Sequence, residues 1–456
     1  MSHRQSRTRD MAGWLDRHVL VSAWTCALGL TVAFVAGGAG PWFEAIADFF
    51  GKRHPFWVRE DFTAFYAAGK LVNEGLASRM YDLPTIAWVE HHAAGGAVGG
   101  TGMLPYFNPP FFALPFAPLA HLSLQQAYQV WGVVCVVLLV ANAALLWRLA
   151  KPLANPWRVA ILAGYLTLYP LLFGLRLGQF SLILQLSIAL GFICLRDGRD
   201  RLAGVSLALL LIKPELLIPV AVYLAVKRKR RAFETLAPIT VAAVAISIVM
   251  VGMDTALGYP AYLLRSTTVN AAGVAPDLMI NWSGVAAASF GNGDSVARPL
   301  VAGVAGAATL GLVLYLALRA PQRNTRYFAM EWTALVIATV MADPHFYLQD
   351  TIMVVPVAVA ALATMDDFGR AVGGVTMTAM WGIERLALYP NQFMSVNLFA
   401  IGLALCLFGT LVWMWRQALG LPAQSRARRR AIERARMARA DGISAKMPRN
   451  ARRGDA

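Results

Sequence analysis

Ala127–Trp147 reads AYQVWGVVCVVLLVANAALLW, a run of 21 residues without a charged side chain. A helix needs about 20 mostly apolar residues to cross a bilayer, so this run predicts a transmembrane helix. Nine further stretches are long enough, or nearly so: Val19–Gly38, Val159–Leu175, Ser181–Leu195, Ala232–Met253, Val296–Leu318, Phe328–Met341, Thr351–Met365, Val372–Leu388 and Val396–Trp415. The sequence therefore predicts an all-α polytopic membrane protein.

The composition leaves little room for anything else. Charged residues make up 14% of the 456-residue chain, whereas a soluble domain has about 25%. We therefore divide the chain into a cytoplasmic N-terminus (1–18), a transmembrane module (19–416) and a basic tail (417–456). No large soluble domain fits between them.

The basic tail has two possible partners. From Leu421 to Ala456, eleven Lys and Arg residues stand against three acidic residues. Nucleic acid is one possible partner. A partly disordered cytoplasmic tail on anionic lipids is the better interpretation, because positive charge gathers on the cytoplasmic side of membrane proteins.

The same rule orients the whole chain. Residues 40–126 contain five basic and seven acidic residues, so this long loop is expected outside. Residues 254–295 form a second large outside loop, and both termini fall inside. We expect a multi-pass protein of a bacterial inner membrane, with its polar site on the extracytoplasmic side.

One apolar segment, Leu202–Val226, is not predicted to cross. Basic clusters flank it on both sides, at Arg196–Arg201 and Lys227–Arg231, and Lys213-Pro214-Glu215 interrupts it. Each arm of eleven residues spans about 16 Å as a helix, too short for a full crossing. We predict a helical hairpin with a polar tip. Its charged residues either pair with each other or form part of a functional site.

The first outside loop contains an amphipathic segment. Phe62, Phe65, Tyr66 and Gly69 share one helical stripe, which predicts a helix lying on the membrane surface. Asp61 stands in its first turn. Spacing alone favours a helix-capping role, worth about 1 kcal/mol, over a functional one.

Polar residues gather at the other predicted outside ends. Amides and carboxylates suit sugar hydroxyls, whereas Arg and Lys suit phosphate, so a sugar–phosphate substrate fits these residues. They are Tyr66, Tyr106, Asn108, Arg176, Gln179, Asn281, Ser283, His345 and Asp350.

Six short motifs in this order resemble glycosyltransferase family 87, integral-membrane enzymes of the GT-C class, over roughly Asp61 to Pro356. They are Asp61-Phe62 with Tyr66-Ala67-Ala68, Phe107-Asn108-Pro109-Pro110 with Pro118-Leu119, Gly178-Gln179, Ala203-Gly204 through Lys213-Pro214, Asn281–Ser283, and Pro344-His345 with Asp350. The chain departs from the family at Gln349, where a Tyr is usual. The departure lies at a position where the family pattern implies an acceptor or sugar contact.

The resemblance implies a GT-C-like bundle. We expect about twelve transmembrane helices, counting the short hairpin as two, with surface helices in the first outside loop. It also implies an inverting transfer of a sugar, usually mannose, from a polyprenyl-phosphate donor to a hydroxyl of a lipid or glycan acceptor on the extracytoplasmic face.

The resemblance also suggests roles for the polar residues. Asp61 is the expected general base, and Arg176, Gln179, Lys213 and His345 are expected at the donor phosphate or sugar. Weaker substrate contacts are expected from Tyr66, Tyr106, Asn108, Asn281, Ser283 and Asp350. No metal or other cofactor is expected, with a divalent cation left open, and no nucleic acid is expected as a partner.

Two other classes of protein remain open from the residues alone. A transporter or lipid flippase explains the spans and the broken hairpin, but explains the first loop less well. No internal repeat, typical of many transporters, is visible. A non-catalytic membrane scaffold, using the basic tail as an interaction arm, is the third possibility.

Overall fold

The computed structural model describes residues 60–93, 104–268, 279–290, 297–319, 325–386 and 392–418, with a few positions between 42 and 50. In chain order the α-helices are α1 Glu60–Asn73, α2 Leu83–Ala93, α3 Leu124–Leu149, α4 Asn155–Leu166, α5 Tyr169–Leu177, α6 Ser181–Arg196, α7 Asp200–Leu207, α8 Pro214–Val226, α9 Arg230–Val251, α10 Met253–Thr268, α11 Trp282–Phe290, α12 Ala297–Leu318, α13 Thr325–Ala342, α14 Val355–Thr364, α15 Asp367–Leu386 and α16 Gln392–Ala418. Short 3-10 segments lie at Ala77–Arg79, Pro110–Phe116, Leu119–His121, Ala208–Ile212 and Leu348–Val354. The predicted span Val19–Gly38, the N-terminal segment and the tail beyond residue 418 lie outside the described residues.

Five helical segments are long and apolar enough to cross a membrane: Leu124–Leu149, Asn155–Leu177, Arg230–Val251, Ala297–Leu318 and Leu398–Gln417. Shorter apolar segments lie at Ser181–Arg196, Pro214–Val226 and Leu348–Thr364. Val137, Val249 and Leu405 on the long helices are 63%, 86% and 65% exposed, as lipid-facing side chains are. The fold is therefore that of a helical membrane protein, and the total of about twelve spans remains a prediction.

The predicted span Val159–Leu175 is two helices, α4 and α5. Thr167 ends α4, and its hydroxyl donates to the carbonyls of Ala163 and Gly164 at 2.9 and 3.1 Å. Pro170 starts α5, where its missing N–H is tolerated, while the residue before a proline disfavours helical backbone. The break lets α5 end beside the polar site.

The segment around Lys213 forms two short helical arms. The first arm is α7 with its 3-10 extension, and the second is α8, which begins at Pro214. The two basic flanks lie together at one end, where Lys229 pairs with Asp200 at 3.0 Å and Arg201 with Glu234 at 2.7 Å. Thus the arms run out and back, with Lys213 between them at the tip.

The segment predicted as the first outside loop differs from its prediction in one respect. Residues 62–69 of α1 are all buried, so α1 is an internal helix and not one that lies on the surface. Phe65 packs on Phe112, Phe116 and Phe180 with ring centroids 5.9, 5.2 and 5.6 Å away. A Cβ on Gly69 would lie 2.5 Å from the backbone carbon of Phe116. The 3-10 segment Pro110–Phe116 therefore covers α1, which fixes Asp61 at its start.

Candidate active site

Asp61 faces the turn that joins α5 to α6. The side-chain amide Nε2 of Gln179 donates to Oδ2 of Asp61 at 2.7 Å. Asp61 lies in the first turn of α1. The partly exposed carboxylate is oriented by a residue 118 positions along the chain.

The Gly178-Gln179 turn is held tightly against α1 and α3. Gly178 has a φ of 70°, and a Cβ there would lie 2.7 Å from that of Phe62. Only glycine enters this left-handed conformation without strain. The indole N–H of Trp131 donates to the Gly178 carbonyl at 2.7 Å, and the Tyr128 hydroxyl donates to the Arg176 carbonyl at 2.9 Å. Both contacts fix the position of Gln179.

Lys213 lies at the centre of a second, buried polar group. Its ammonium donates to Oδ2 of Asp350 at 2.8 Å and to the His345 carbonyl at 2.7 Å, and Oδ2 of Asp343 lies 3.5 Å away. The other oxygen of Asp350 accepts from the Ser181 hydroxyl at 2.5 Å. The hairpin tip is thus joined to the loop after α13 and to the start of α6.

The loop Asp343-Pro344-His345 is also held by its own contacts and by α11. The His345 N–H donates to Oδ1 of Asp343 at 2.7 Å. The amide of Asn281 donates to the Asp343 carbonyl at 2.7 Å and accepts from the Gly284 N–H at 2.8 Å. Asn281 is fully buried, so it anchors this loop.

The two polar groups share one cavity of about 100 Å³. Six of the eleven predicted site residues line it: Asp61, Asn108, Gln179, Lys213, His345 and Asp350. Asn108 is held by its own contact, because its amide donates to the Ile212 carbonyl at 3.0 Å, directly before Lys213. The fold therefore brings together residues that are far apart in the sequence.

The other five predicted residues, Tyr66, Tyr106, Arg176, Asn281 and Ser283, do not line the cavity. The hydroxyls of Tyr66 and Tyr106 donate to the carbonyls of Leu122 and Pro109 at 2.8 and 3.2 Å. Arg176 is partly exposed at the C-terminal end of α5. A pattern of residue types along the chain does not show which way such side chains point.

Glu215, Gln349, Phe107 and Tyr347 also line the cavity, although none was predicted as a site residue. The sequence leaves two interpretations of Glu215 open, pairing with Lys213 or membership of a functional site. The feature of the sequence that could have identified Glu215 is its position, two residues after Lys213 at the tip of the predicted hairpin.

Gln349 also lines the cavity. It packs against Gly174, where an added Cβ would lie 3.3 Å from the Cβ of Gln349. The departure from the family pattern therefore lies on the cavity wall.

Burial shifts the acid–base properties of two cavity residues. Burial raises the pKa of Asp61 to about 6, and the nearby charge of Asp350 adds to this, while the Gln179 hydrogen bond opposes it. Burial and the adjacent Lys213 lower the pKa of His345 to about 3. Near neutral pH, Asp61 is therefore ionised and is a stronger base than an exposed aspartate, and His345 is a neutral imidazole.

A larger, apolar cleft of about 610 Å³ lies among α4 and α13–α16. Its lining includes Thr351, the residue after Asp350, and also Arg326 and Asp366. Because Thr351 follows Asp350 in the chain, the same stretch of backbone contributes to the cleft and to the polar cavity. The cleft is large and apolar enough to hold an apolar chain.

The sequence model of glycosyltransferase family 87 matches residues 106–344, slightly more than half of the chain. The match includes the Asn108, Gln179 and Lys213 segments and ends just before His345. No curated protein and no solved structure matches the chain.

Proposed function

Because the chain belongs to glycosyltransferase family 87 and is therefore a membrane glycosyltransferase, we propose that it transfers a hexose, mannose in the first place, from a polyprenyl-phosphate donor. The acceptor is a hydroxyl of a lipid or glycan. The reaction takes place on the extracytoplasmic face of a bacterial inner membrane, with both termini in the cytoplasm, and inverts the anomeric configuration.

The main observation that supports this proposal is the position of Asp61. Its carboxylate lines the cavity and is oriented by Gln179 at 2.7 Å. A general base works best when its pKa lies near the working pH, and burial moves the pKa of Asp61 to about 6. These are the properties required of a group that removes a proton from a hydroxyl.

The proposed reaction is a single displacement. The acceptor oxygen attacks the anomeric carbon and forms the new glycosidic bond, while its proton passes to Asp61. The bond between the anomeric carbon and the phosphate oxygen breaks, and polyprenyl phosphate leaves with the electron pair. One carboxylate suffices for this inverting displacement.

The departing phosphate needs positive or hydrogen-bonding partners. We assign Arg176 as its cation, because a guanidinium stays charged and suits phosphate geometry. Lys213 has an indirect role. Its ammonium already donates to the Asp350 carboxylate and to the His345 carbonyl, so it positions these two residues. His345 and Gln179 contact the sugar. Weaker contacts are proposed for Asn108 and Asp350, which line the cavity.

The apolar cleft supports a lipid-linked donor. A polyprenyl chain lying in this cleft would be buried among apolar side chains. We propose that the reaction needs no metal. The basic tail contributes contacts with anionic lipids and takes no part in catalysis.

A transfer assay on the purified full-length protein tests the proposal. Polyprenyl-phosphate mannose, glucose and galactose are offered with a membrane lipid extract as acceptor, with and without a chelator. We expect one donor to give a glycosylated product, unaffected by chelation, whose new linkage has the opposite anomeric configuration by NMR. Retention of configuration, or transfer only from nucleotide sugars, would contradict the mechanism.

A further inference from the structure

The cavity wall contains an amide that the protein itself does not use. Gln349 is 6% exposed and lines the cavity, yet its side-chain amide makes no hydrogen bond within the part of the chain that the structure describes. Two other amides in the described lining, those of Gln179 and Asn108, each already donate to a protein acceptor, at 2.7 and 3.0 Å. The amide of Gln349 therefore has both its donors and its acceptor left for a ligand.

Gln349 lies close to the residue that orients the proposed base. A Cβ added to Gly174 would lie 3.3 Å from the Cβ of Gln349 and 4.0 Å from that of Gln179, so Gly174 lies between the roots of these two side chains. In the other direction along the wall, Gln349 directly precedes Asp350 in the 3-10 segment Leu348–Val354. Gln349 thus adjoins both polar groups that share the cavity.

A second polar group in the same cavity lacks a partner. Nδ1 of His345 is buried without a hydrogen-bond partner among the described residues, and the residue is only 9% exposed. An unpaired buried polar atom costs roughly 1–3 kcal/mol, so a ligand hydroxyl that pairs with it is favoured. The rings of Phe107 and Tyr347 also line the cavity, with centroids 4.5 and 5.0 Å from the imidazole. This wall combines apolar ring surface with hydrogen-bonding groups, which matches the C–H faces and hydroxyls of a sugar ring.

We infer that Gln349 is a specificity-determining residue that binds a hydroxyl of the transferred sugar, next to His345. The inference rests on the proposed function and deepens it, because it adds a sugar contact that the reaction as proposed does not contain. In that reaction Asp61 takes the proton of the acceptor, and both oxygens of Asp350 already accept from protein donors. The amide of Gln349 is therefore available to the transferred sugar. A site that hydrogen-bonds a hydroxyl discriminates against the analogue that lacks it, because the protein group is then left unpaired. The enzyme thus selects a fully hydroxylated hexose over a deoxy sugar.

Singly deoxygenated donors test this inference. The polyprenyl-phosphate hexose that the wild type transfers is compared with its 2-, 3-, 4- and 6-deoxy forms, and kcat/KM is measured for the full-length wild type and for Gln349→Met, which keeps an unbranched side chain but removes the amide. The ratio of wild type to variant cancels the intrinsic reactivity of each donor. We expect this ratio to be about tenfold with the parent donor, as for one hydrogen bond. With at least one deoxy donor it should be close to one, because the same contact is already missing.

The outcomes separate the inference from the proposed function. A ratio close to one with the parent donor, or an undiminished ratio with all four deoxy donors, would overturn the inference alone. A wild type that transfers no hexose from polyprenyl phosphate would overturn the proposed function and the inference with it. Gln417→Met, at a partly exposed position near the end of α16, is the control, and its ratio should be close to one with every donor.

Binding to the wild type keeps the test decisive if Gln349→Met does not fold. Kd is then obtained from the rise in Tm of the full-length wild type with donor concentration. We expect at least one deoxy donor to bind about tenfold more weakly than the parent donor. Equal Kd values for the parent and all four deoxy donors would overturn the inference.

Discussion

The two ends of the helical hairpin contain the same kinds of group in different proportions. At the base, Lys227 pairs with Glu331 at 2.8 Å, and Lys229 and Arg201 each meet one further acid. At the tip, Lys213 meets Asp350 and Asp343, while one oxygen of Glu215 has no hydrogen-bond partner among the described residues. Matched charges at the base suit anchoring. Surplus carboxylates at the tip suit substrate binding, because they leave groups unsatisfied by the protein.

Lys213→Met should have the largest effect on stability. It leaves Asp343 and Asp350 buried without their cation, and breaking a buried ion pair in this way costs roughly 3–5 kcal/mol. We expect a large fall in Tm in detergent, with loss of transfer. Lys151→Met, at an exposed position, is the control.

A double variant sharpens this test. Adding Asp343→Asn to Lys213→Met removes one of the unpaired charges, so part of the lost Tm should return. If the tip lysine were no more important than a surface charge, Lys213→Met and Lys151→Met would have the same Tm.

Asp61→Asn should lower transfer by at least roughly 10²-fold, the low end for a general base, with Tm and donor binding retained. The matched control is Asp82→Asn in the same loop, where the carboxylate accepts from Thr85 directly before α2. Asn caps a helix about as well as Asp, so this control should be almost silent. Near-normal transfer by Asp61→Asn would return Glu60, Asp343 and Asp350 as candidate bases.

The pH dependence of transfer should reflect Asp61. Its pKa is raised to about 6, and only the deprotonated form accepts a proton. The rate should therefore be constant above about pH 7 and fall roughly tenfold per unit well below pH 6. His345, with a pKa of about 3, stays neutral over this range. A flat profile from pH 5 to 8, measured with saturating donor, would argue against Asp61.

Lys227→Met should have a smaller effect than the change at the tip. It leaves one buried carboxylate, Glu331, whose side chain is 2% exposed, whereas Lys213→Met leaves two, so we expect a loss of roughly 3 kcal/mol, the low end for a broken buried pair. Transfer per folded molecule, measured after size-exclusion chromatography, should be unchanged. A specific loss of kcat with normal Tm would show that the base also serves the reaction.

Deletion of Ala423–Ala456 should have the smallest effect. The tail is predicted to lie on the cytoplasmic side, opposite the proposed chemistry. Purified tail-less protein should keep its turnover, with membrane association or abundance changed at most. Complete loss of turnover in a normally folded sample would contradict this prediction.

Much of the site was predictable because its residues interrupt apolar segments. Asp61, Gln179, Lys213 and His345 all lie at polar ends or breaks, where a charged or amide side chain is conspicuous. The sequence did not predict which way individual side chains point or which of them are buried. Tyr66 shares its helical stripe with Phe62 and Phe65, yet its hydroxyl meets Leu122 outside the cavity, and a stripe of aromatic residues does not specify which element will cover it.

Apolar length, basic flanks and motif order are properties of the chain alone, and they were enough to predict the class of protein, the hairpin and the family. The partners of the polar groups depended on packing. Lys213 meets Asp350, 137 residues away, at 2.8 Å, whereas Glu215, two residues away, has an oxygen without a hydrogen-bond partner in the part of the chain that the structure describes. Side chains two positions apart do not face each other on a helix. The break at Pro214 directs Lys213 toward the loop after α13, and packing of distant helices supplies its carboxylates.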